Sequence, residues 1–353
     1  MFKIRVDTGG TFTDCRGQAE GEAKARLVKV LSSGRLRVSV SNWLSPQVAN
    51  LQIPPGWNAS DSFFAGFKVE ADGQRALILR FDSQENTIHL SRELPPAPSL
   101  DLFTGEEAPV LGARLLTGTG LDASFPELEF RLATTRGTNA LLERKGAPVA
   151  LFVTKGFRDL LTISDQRRPD LFALHHERPA PLAEQVIEVN ERIAADGTIL
   201  DSLVLDEKWN QQVRELLDSG IRVAAISLLN GWKNAAHEST LRDHLLKMGF
   251  DHVSVSSKLA PLIKLLPRTE TAVTNAYLHP VMQSFLDHIG ERVGEANQLL
   301  TMTSAGGLEP TTSYNPKDSL LSGPAGGVAG AAAAAKNLGY SRILTFDMGG
   351  TST

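Results

Sequence analysis

Cysteine is almost absent: Cys15 is the only one in 353 residues. That leaves no internal disulfide framework and no multi-cysteine metal centre, which fits a reducing compartment. No run of Lys or Arg occurs, and a net charge of −4 offers no basic footprint for a nucleic acid. No apolar stretch approaches the length that crosses a bilayer. The chain opens on FKIRVD, a strand pattern with charges inside it rather than a signal peptide. These absences predict a cytoplasmic protein with neither nucleic-acid nor membrane partners. The remaining balance, 42% apolar and 22% charged residues, is that of a soluble globular protein with chain enough for more than one domain. Cys15 itself reads as a small buried residue on the second strand.

One feature occurs twice. DTGGTFTD occupies residues 7–14 and DMGGTST residues 347–353, each just after a β-type run, FKIRV and RILTF. Each copy therefore reads as a strand ending in an Asp that turns through two glycines into hydroxyl residues. The order suits a phosphate: paired glycines let backbone N–H groups approach an anion without Cβ obstruction, and threonines add donors. An Asp at the strand end, Asp7 or Asp347, can hold a hydrated cation or orient a water. Asp-X-Gly-Gly is also an ordinary turn sequence, but two copies sharing D-x-G-G-T-x-T suggest two similar lobes facing one phosphate chain. This layout resembles the actin-like ATPase superfamily, whose two turns hold ATP and a divalent metal in a cleft.

Taken in order, residues 2–6, 13–18 and 25–31 predict a three-stranded meander. Residues 33–98 then alternate apolar and polar in short runs punctuated by Pro, Gly, Asn and Asp, the pattern of an inserted small antiparallel β-module with Trp43 and Trp57 in its core. Residues 102–118 predict a helix capped by Thr104, with Glu106 and Glu107 in its first turn. Thr134, Thr135 and Thr138 precede a predicted helix over Asn139–Lys145. They are either caps or an anion or substrate-carboxylate site. Arg167 and Arg168, beside Pro169, suit a carboxylate clamp or a solvated loop. Alternating strands and helices from 184 to 304 imply a largely parallel layer, with ligands at the carboxyl ends of its strands near Ser304, Gly306 and Gly307. SGPAGGVAGAAAAAKNLG, 322–339, is a helix with a small-residue surface, fit for close helix crossing or for a bland surface.

VDTGGTFTD, TTRGTNALLERKGA, VTKGFRDLL, QRRPDLF, ERIAADG, RTETAVTNAYLHPV, SAGGL, LLSGPAGGVAGA and TFDMGGTST together resemble the hydantoinase/oxoprolinase family, A-type portion. The resemblance spans residues 3–31 and about 130–353. It implies an α/β, actin-like (ribonuclease H-like) lobe over 1–32 and 99–340, interrupted by the 33–98 module, with a second lobe beginning at 341–353. It also implies an ATP-dependent, Mg2+-requiring cyclic-amide hydrolase that phosphorylates an amide carbonyl before ring opening. Carried over by position, Asp7, Gly9, Gly10, Thr11 and Thr13 form the first phosphate turn. Asp347, Gly349, Gly350, Thr351 and Thr353 form the second, with both Asp residues acting through metal-bound water. Thr134, Thr135, Asn139, Arg167, Arg168, Ser304, Gly306 and Gly307 are substrate-side candidates. A B-type portion, fused or separate, and an oligomer are expected. Leu132 and Ala133 replace the His-Gly of many members, as in the oxoprolinase branch, and Ala305 replaces a common Asn or Asp. Because the chain stops inside the second turn, it is expected to be an N-terminal fragment, inactive alone. Ketone carboxylation and a non-catalytic nucleotide switch are the competing readings.

Overall fold

The computed structural model describes residues 1–346, apart from 168, 169, 171, 173, 176–178 and 295. In chain order come β1 (Phe2–Thr8), β2 (Phe12–Ala19), β3 (Arg26–Leu31), β4 (Arg35–Ser45), β5 (Val48–Gln52), β6 (Lys68–Ala71), β7 (Gln74–Asp82), β8 (Thr87–Leu90) and β9 (Ser99–Phe103). Next are α1 (Ala108–Thr117), β10 (Leu128–Thr134), α2 (Arg136–Leu142), β11 (Val149–Thr154), α3 (Leu160–Ile163), β12 (Ala183–Ile193) and β13 (Ile199–Val204). The rest are α4 (Glu207–Asp218), β14 (Val223–Ser227), α5 (Ala236–Met248), β15 (His252–Val255), α6 (Ser256–Leu259), α7 (Leu265–Val293), β16 (Gln298–Met302), β17 (Leu308–Pro310) and α8 (Ser322–Asn337). Contacts divide the chain into two units. The first comprises Met1–Asn139, Gln283–Tyr314 and the described residues from Asp318 on, and the second Ala140–Met282 with Asn315–Lys317.

In the first unit the sheet runs β17-β16-β10-β1-β2-β3, with β1, β10 and β16 parallel and the β1–β2–β3 meander antiparallel. The alternation in FKIRVDT does the sorting. Phe2, Ile4, Val6 and Thr8 are buried, while Lys3, Arg5 and Asp7 face out. α1 packs on the meander, and Cys15 is buried as expected, its thiol pushed well above the ordinary range by burial.

β4 joins β3 by one pair and then starts a separate closed structure. The order β4-β5-β8-β7-β6-β9 returns to its start, because β9 pairs with both β6 and β4. The antiparallel module is thus a six-stranded barrel with no free edge. Phe64 stands edge-on to Phe63, Phe67 and Phe81, and all four rings are buried. Trp43 and Trp57, expected in the core, are only half-buried, and the Trp43 indole N–H donates to the Ala97 carbonyl.

Three local expectations change. The segment read as one helix over 102–118 divides into β9 and α1. Leu100 and Leu102 alternate with polar neighbours on a ladder, and Pro109 fits the first turn of a helix whose N-cap is Glu107, not Thr104. Glu106 is withdrawn from solvent to pair with Arg114 at 2.7 Å. The Asn139–Lys145 helix starts earlier, at Arg136. RILTF, 342–346, forms no ladder among the described residues, so its apolar pattern has no strand to complete it.

The second unit is a sheet in the order β13-β12-β11-β14-β15, parallel except for β13. Both faces of β11 and β14 are buried, which is why VALFVT and VAAIS are unbroken small and apolar runs. α4 starts at Asp206, whose carboxylate accepts from the Trp209 N–H, and Trp209, Leu216, Leu241 and Phe250 fill the core. Glu238 and Arg268, both 0% exposed, pair at 3.1 Å. The Leu228 and Ser257 N–H groups and the Ser256 hydroxyl also donate to Glu238. His252 stacks on His279 with ring centroids 3.5 Å apart.

Tyr277 lies across Gly146 so closely that a Cβ there would fall 2.2 Å from the ring. Gly146→Ala is expected to destabilise by roughly 1–3 kcal/mol in urea unfolding; an unchanged midpoint would refute this packing. Burial, with His279 and Arg242 nearby, lowers the His252 imidazole from 6.5 to about 3. The unfolded chain then binds the extra proton, so stability is complete above about pH 6.5 and falls as pH drops toward 3, by up to ~1.4 kcal/mol per unit. His252→Phe should flatten that slope between pH 6.5 and 5.

Candidate functional site

β1 ends at Thr8, and the chain turns over Gly9, Gly10 and Thr11 into β2. The Gly9 N–H donates to the Phe12 carbonyl at 3.0 Å, and a Cβ on Gly9 would sit 3.1 Å from that same oxygen. Behind the turn stands Ser32. Its N–H donates to the Thr11 carbonyl at 2.9 Å, its hydroxyl donates to the Gly9 carbonyl at 2.8 Å, and its oxygen lies 3.0 Å from Thr13 Oγ1. Thr13 is 0% exposed, so its hydroxyl buttresses the turn from the core side instead of facing a ligand as its place in the motif suggested. Gly10 and Thr11 remain exposed.

Parallel pairing brings three strand ends to one edge of the sheet. Thr8 is in register with Thr134, and Leu132 with Thr301. The Thr135 N–H and hydroxyl donate to the Thr8 carbonyl, while Thr134 Oγ1 accepts the Arg136 N–H at 3.1 Å. Asn139 Nδ2 donates to Thr135 Oγ1. Thr134 thus accepts from the first residue of α2, and Thr135 ties the start of that helix back to the end of β1. Past β16, Ser304, Gly306 and Gly307 form a hairpin: Gly306, at φ 78°, donates to Thr303 O, the Thr303 N–H donates to Gly307 O, and the Ser304 N–H donates to Asp318 O. Asp7, Thr134, Thr135, Ser304, Gly306 and Gly307 thus share one edge of the first unit. Arg167 belongs to the second unit, where it pairs with Asp165 at 2.5 Å. Arg168, Asp347, Gly349, Gly350, Thr351 and Thr353 lie outside the described residues.

The outward face of the same sheet carries charges that the motif reading overlooked. Asp14 is the direct cross-strand partner of Asp7, and Arg16 of Arg5. In the parallel ladder Arg5 is in register with Arg131. Two rows result, Lys29–Asp14–Asp7 at the strand ends and Arg16–Arg5–Arg131 one pleat below. Lys29 reaches Asp14 at 3.3 Å and Arg131 reaches Glu129 at 2.6 Å. A cavity of about 580 Å³ opens over these rows, with Met302, Leu308 and the α8 glycines among its lining residues. A signal was present in the sequence: Asp7 and Asp14 are equidistant from the Gly10–Thr11 centre of the hairpin, as are Arg5 and Arg16.

Family models match two stretches of the chain. The hydantoinase/oxoprolinase N-terminal region covers residues 104–249, and the hydantoinase/oxoprolinase model covers 268–353. The chain belongs to the hydantoinase/oxoprolinase family. It is 37% identical over 287 residues to 5-oxoprolinase 1 of Arabidopsis thaliana, an alignment spanning 72% of this chain and 23% of that relative. Its fold is similar to that of nucleotide-free acetone carboxylase, with TM-score 0.66, 20% identity and coverage of 99% of this chain and 42% of the other. It is likewise similar to the ATP-dependent caprolactamase from Pseudomonas jessenii, with TM-score 0.62, 22% identity and the same coverages. The chain therefore spans less than a quarter of that curated relative's length. The Asp7–Asp14 turn precedes both matched stretches, so its description rests on its own geometry.

Ser32 is the test of that geometry. Ser32→Ala deletes both hydroxyl contacts behind the turn while keeping its N–H bond to Thr11. Amide exchange at Gly9–Thr13 should accelerate about fivefold or more, the equivalent of roughly 1 kcal/mol. Unchanged exchange would mean that the turn holds itself.

Proposed function

We propose that this chain contributes an actin-like, ribonuclease H-like lobe to an ATP-dependent cyclic-amide hydrolase of the 5-oxoprolinase type. The observation that carries the reading is the buttressed Gly9–Thr11 turn at the carboxyl end of β1, beside the ends of β10 and β16. The sheet order with an antiparallel meander followed by two parallel strands supports the lobe assignment, and the 37% identity to a 5-oxoprolinase supports the reaction class.

The residues present fit the groups that this reading requires. Exposed Gly10 and Thr11 follow a glycine whose missing Cβ leaves the turn tight, which is the arrangement backbone donors need to face a phosphate. Asp7 and Asp14 supply hard oxygen donors suited to a hydrated Mg2+. ATP with that cation would supply the phosphoryl group that turns an amide oxygen into a leaving group. Gly9, Gly10 and Thr11 would orient the phosphate chain, Asp7 would hold the cation through its hydration shell, and Thr13 would stiffen the turn through Ser32. Asp347, Gly349, Gly350, Thr351 and Thr353 keep the role of second turn by likeness of sequence. Ser304, Gly306, Gly307, Thr134, Thr135 and Asn139 frame the substrate side, and the Arg167–Arg168 loop is assigned there by resemblance alone. A B-type polypeptide and oligomeric assembly complete the cytoplasmic enzyme.

Phosphate release from Mg-ATP, with a B-type polypeptide present, is the decisive measurement. 5-Oxoproline should stimulate it with glutamate formed, and Asp7→Ala should lower it on the order of 100-fold. Turnover indifferent to 5-oxoproline, hydantoins and acetophenone-like ketones would overturn the reading.

A further inference from the structure

The outward row Arg16–Arg5–Arg131 has no explanation in the nucleotide turn. Directly opposed like charges on neighbouring strands repel, and a sheet normally avoids them. Here two such oppositions meet at Arg5. Arg131 has Glu129 at 2.6 Å, but among the described residues Arg5 and Arg16 have no ion-pair partner. One pleat above, Asp14 is drawn to Lys29 at 3.3 Å. In a chain of net charge −4, the cavity over this face is lined by four cationic side chains and two carboxylates.

The cavity has a built form. Its floor is the outer face of β1, β2, β3 and β10, and its wall is the first half of α8 with Met302 and Leu308. Glycine on α8 keeps the wall thin: a Cβ on Gly326 would already touch Met302 at 3.6 Å, whereas one on Gly327 would project into open space. The open cavity, about 580 Å³, has room for a small metabolite. Guanidinium groups present paired donors matched to carboxylate and phosphate oxygens, and two on facing strands stand about 5 Å apart at their Cβ atoms.

We propose that this cavity is a binding site for a small dianion, a dicarboxylate or a diphosphate, held by Arg5 and Arg16 with Arg131 at its edge. The ligand cancels the cross-strand repulsion between Arg5 and its arginine neighbours. The site borders the Gly9–Thr11 turn, with Asp7 and Asp14 in its lining, but it is held by Arg5 and Arg16, which the nucleotide reading does not use.

The test uses the whole chain without ATP or Mg2+. Titration calorimetry is run with glutarate and with inorganic pyrophosphate, against acetate at matched ionic strength. At least one dianion should saturate a single site that acetate does not occupy, and the tighter of the two identifies the ligand's chemistry. In the double variant Arg5→Gln with Arg16→Gln, affinity for that dianion should fall at least ~10-fold, as expected for loss of charge-assisted pairs. The same variant without ligand should unfold at an equal or higher urea concentration than the parent, because the repulsion is gone; a purely structural role would lower it. The proposal is overturned if neither dianion binds better than acetate, if the double variant binds both as the parent does, or if it unfolds earlier. Because no nucleotide is present, a negative result leaves the ATP reading standing, and loss of Mg-ATP turnover in Asp7→Ala says nothing against the dianion site.

Discussion

The register of the parallel ladder β1–β10–β16 is the constraint on which the first unit depends. Phe2 opposite Leu128 and Val6 opposite Leu132 put matching apolar residues on one face. The opposite face then receives Arg5, Asp7 and Arg131 together. A slip of one residue would drive Arg5 and Asp7 into the core and expose Ile4 and Val6, so the hydrophobic pairing fixes the charged rows as firmly as it fixes the core. The same pairing brings Thr8, Thr134 and the residues after Met302 to one edge. The Gly9–Thr11 turn needs no strained backbone of its own; it inherits its place from burial elsewhere.

Much of this was legible. FKIRVDT announces a half-buried strand by its alternation, VALFVT and VAAIS announce strands covered on both sides, and the double glycine after Asp7 announces a turn. What could not be read were relations between side chains distant in sequence. Ser32 holds the Gly9–Thr13 turn from a strand end that no local pattern links to it. Glu106 reaches Arg114 eight residues on, and Glu238 reaches Arg268 thirty residues on. The LFTGEE segment misled because Thr and two Glu are good helix-start chemistry, yet Leu102 and Phe103 find ladder partners on two strands and the barrel closure outweighs local preference. RILTF has a strand's composition without a ladder among the described residues: composition marks a candidate strand and pairing makes one.

Glu238 illustrates how the second unit handles a buried charge. A lone carboxylate at 0% exposure is costly; this one accepts from two backbone N–H groups, a serine hydroxyl and a guanidinium. Arg268 in turn donates to the Leu228 carbonyl. Coulomb attraction alone repays little of the desolvation of two ions, but this network ties the end of β14 to α5, α6 and α7 at a single point. Removing one partner would strand the other charge, at roughly 3–5 kcal/mol. The pair thus specifies how these elements join more than it adds net stability.

The two charged networks invite opposite conclusions because their surroundings differ. At Glu238 and Arg268 the two charges answer each other within the protein, with only Arg268 Nε left without a hydrogen-bond partner among the described residues. On the outer face of the first sheet the answer is incomplete, and the water over that face makes the deficit affordable. Repulsion between Arg5 and Arg16 is screened, so the chain can carry it at a small cost where a buried pair could not. A surface that bears such a cost in apposed arginines, beside an aspartate that already has a lysine, is suited to an arriving anion. Adding a dianion would change the sign of that local energy without moving a strand, because register has already set Arg5 and Arg16 at facing positions.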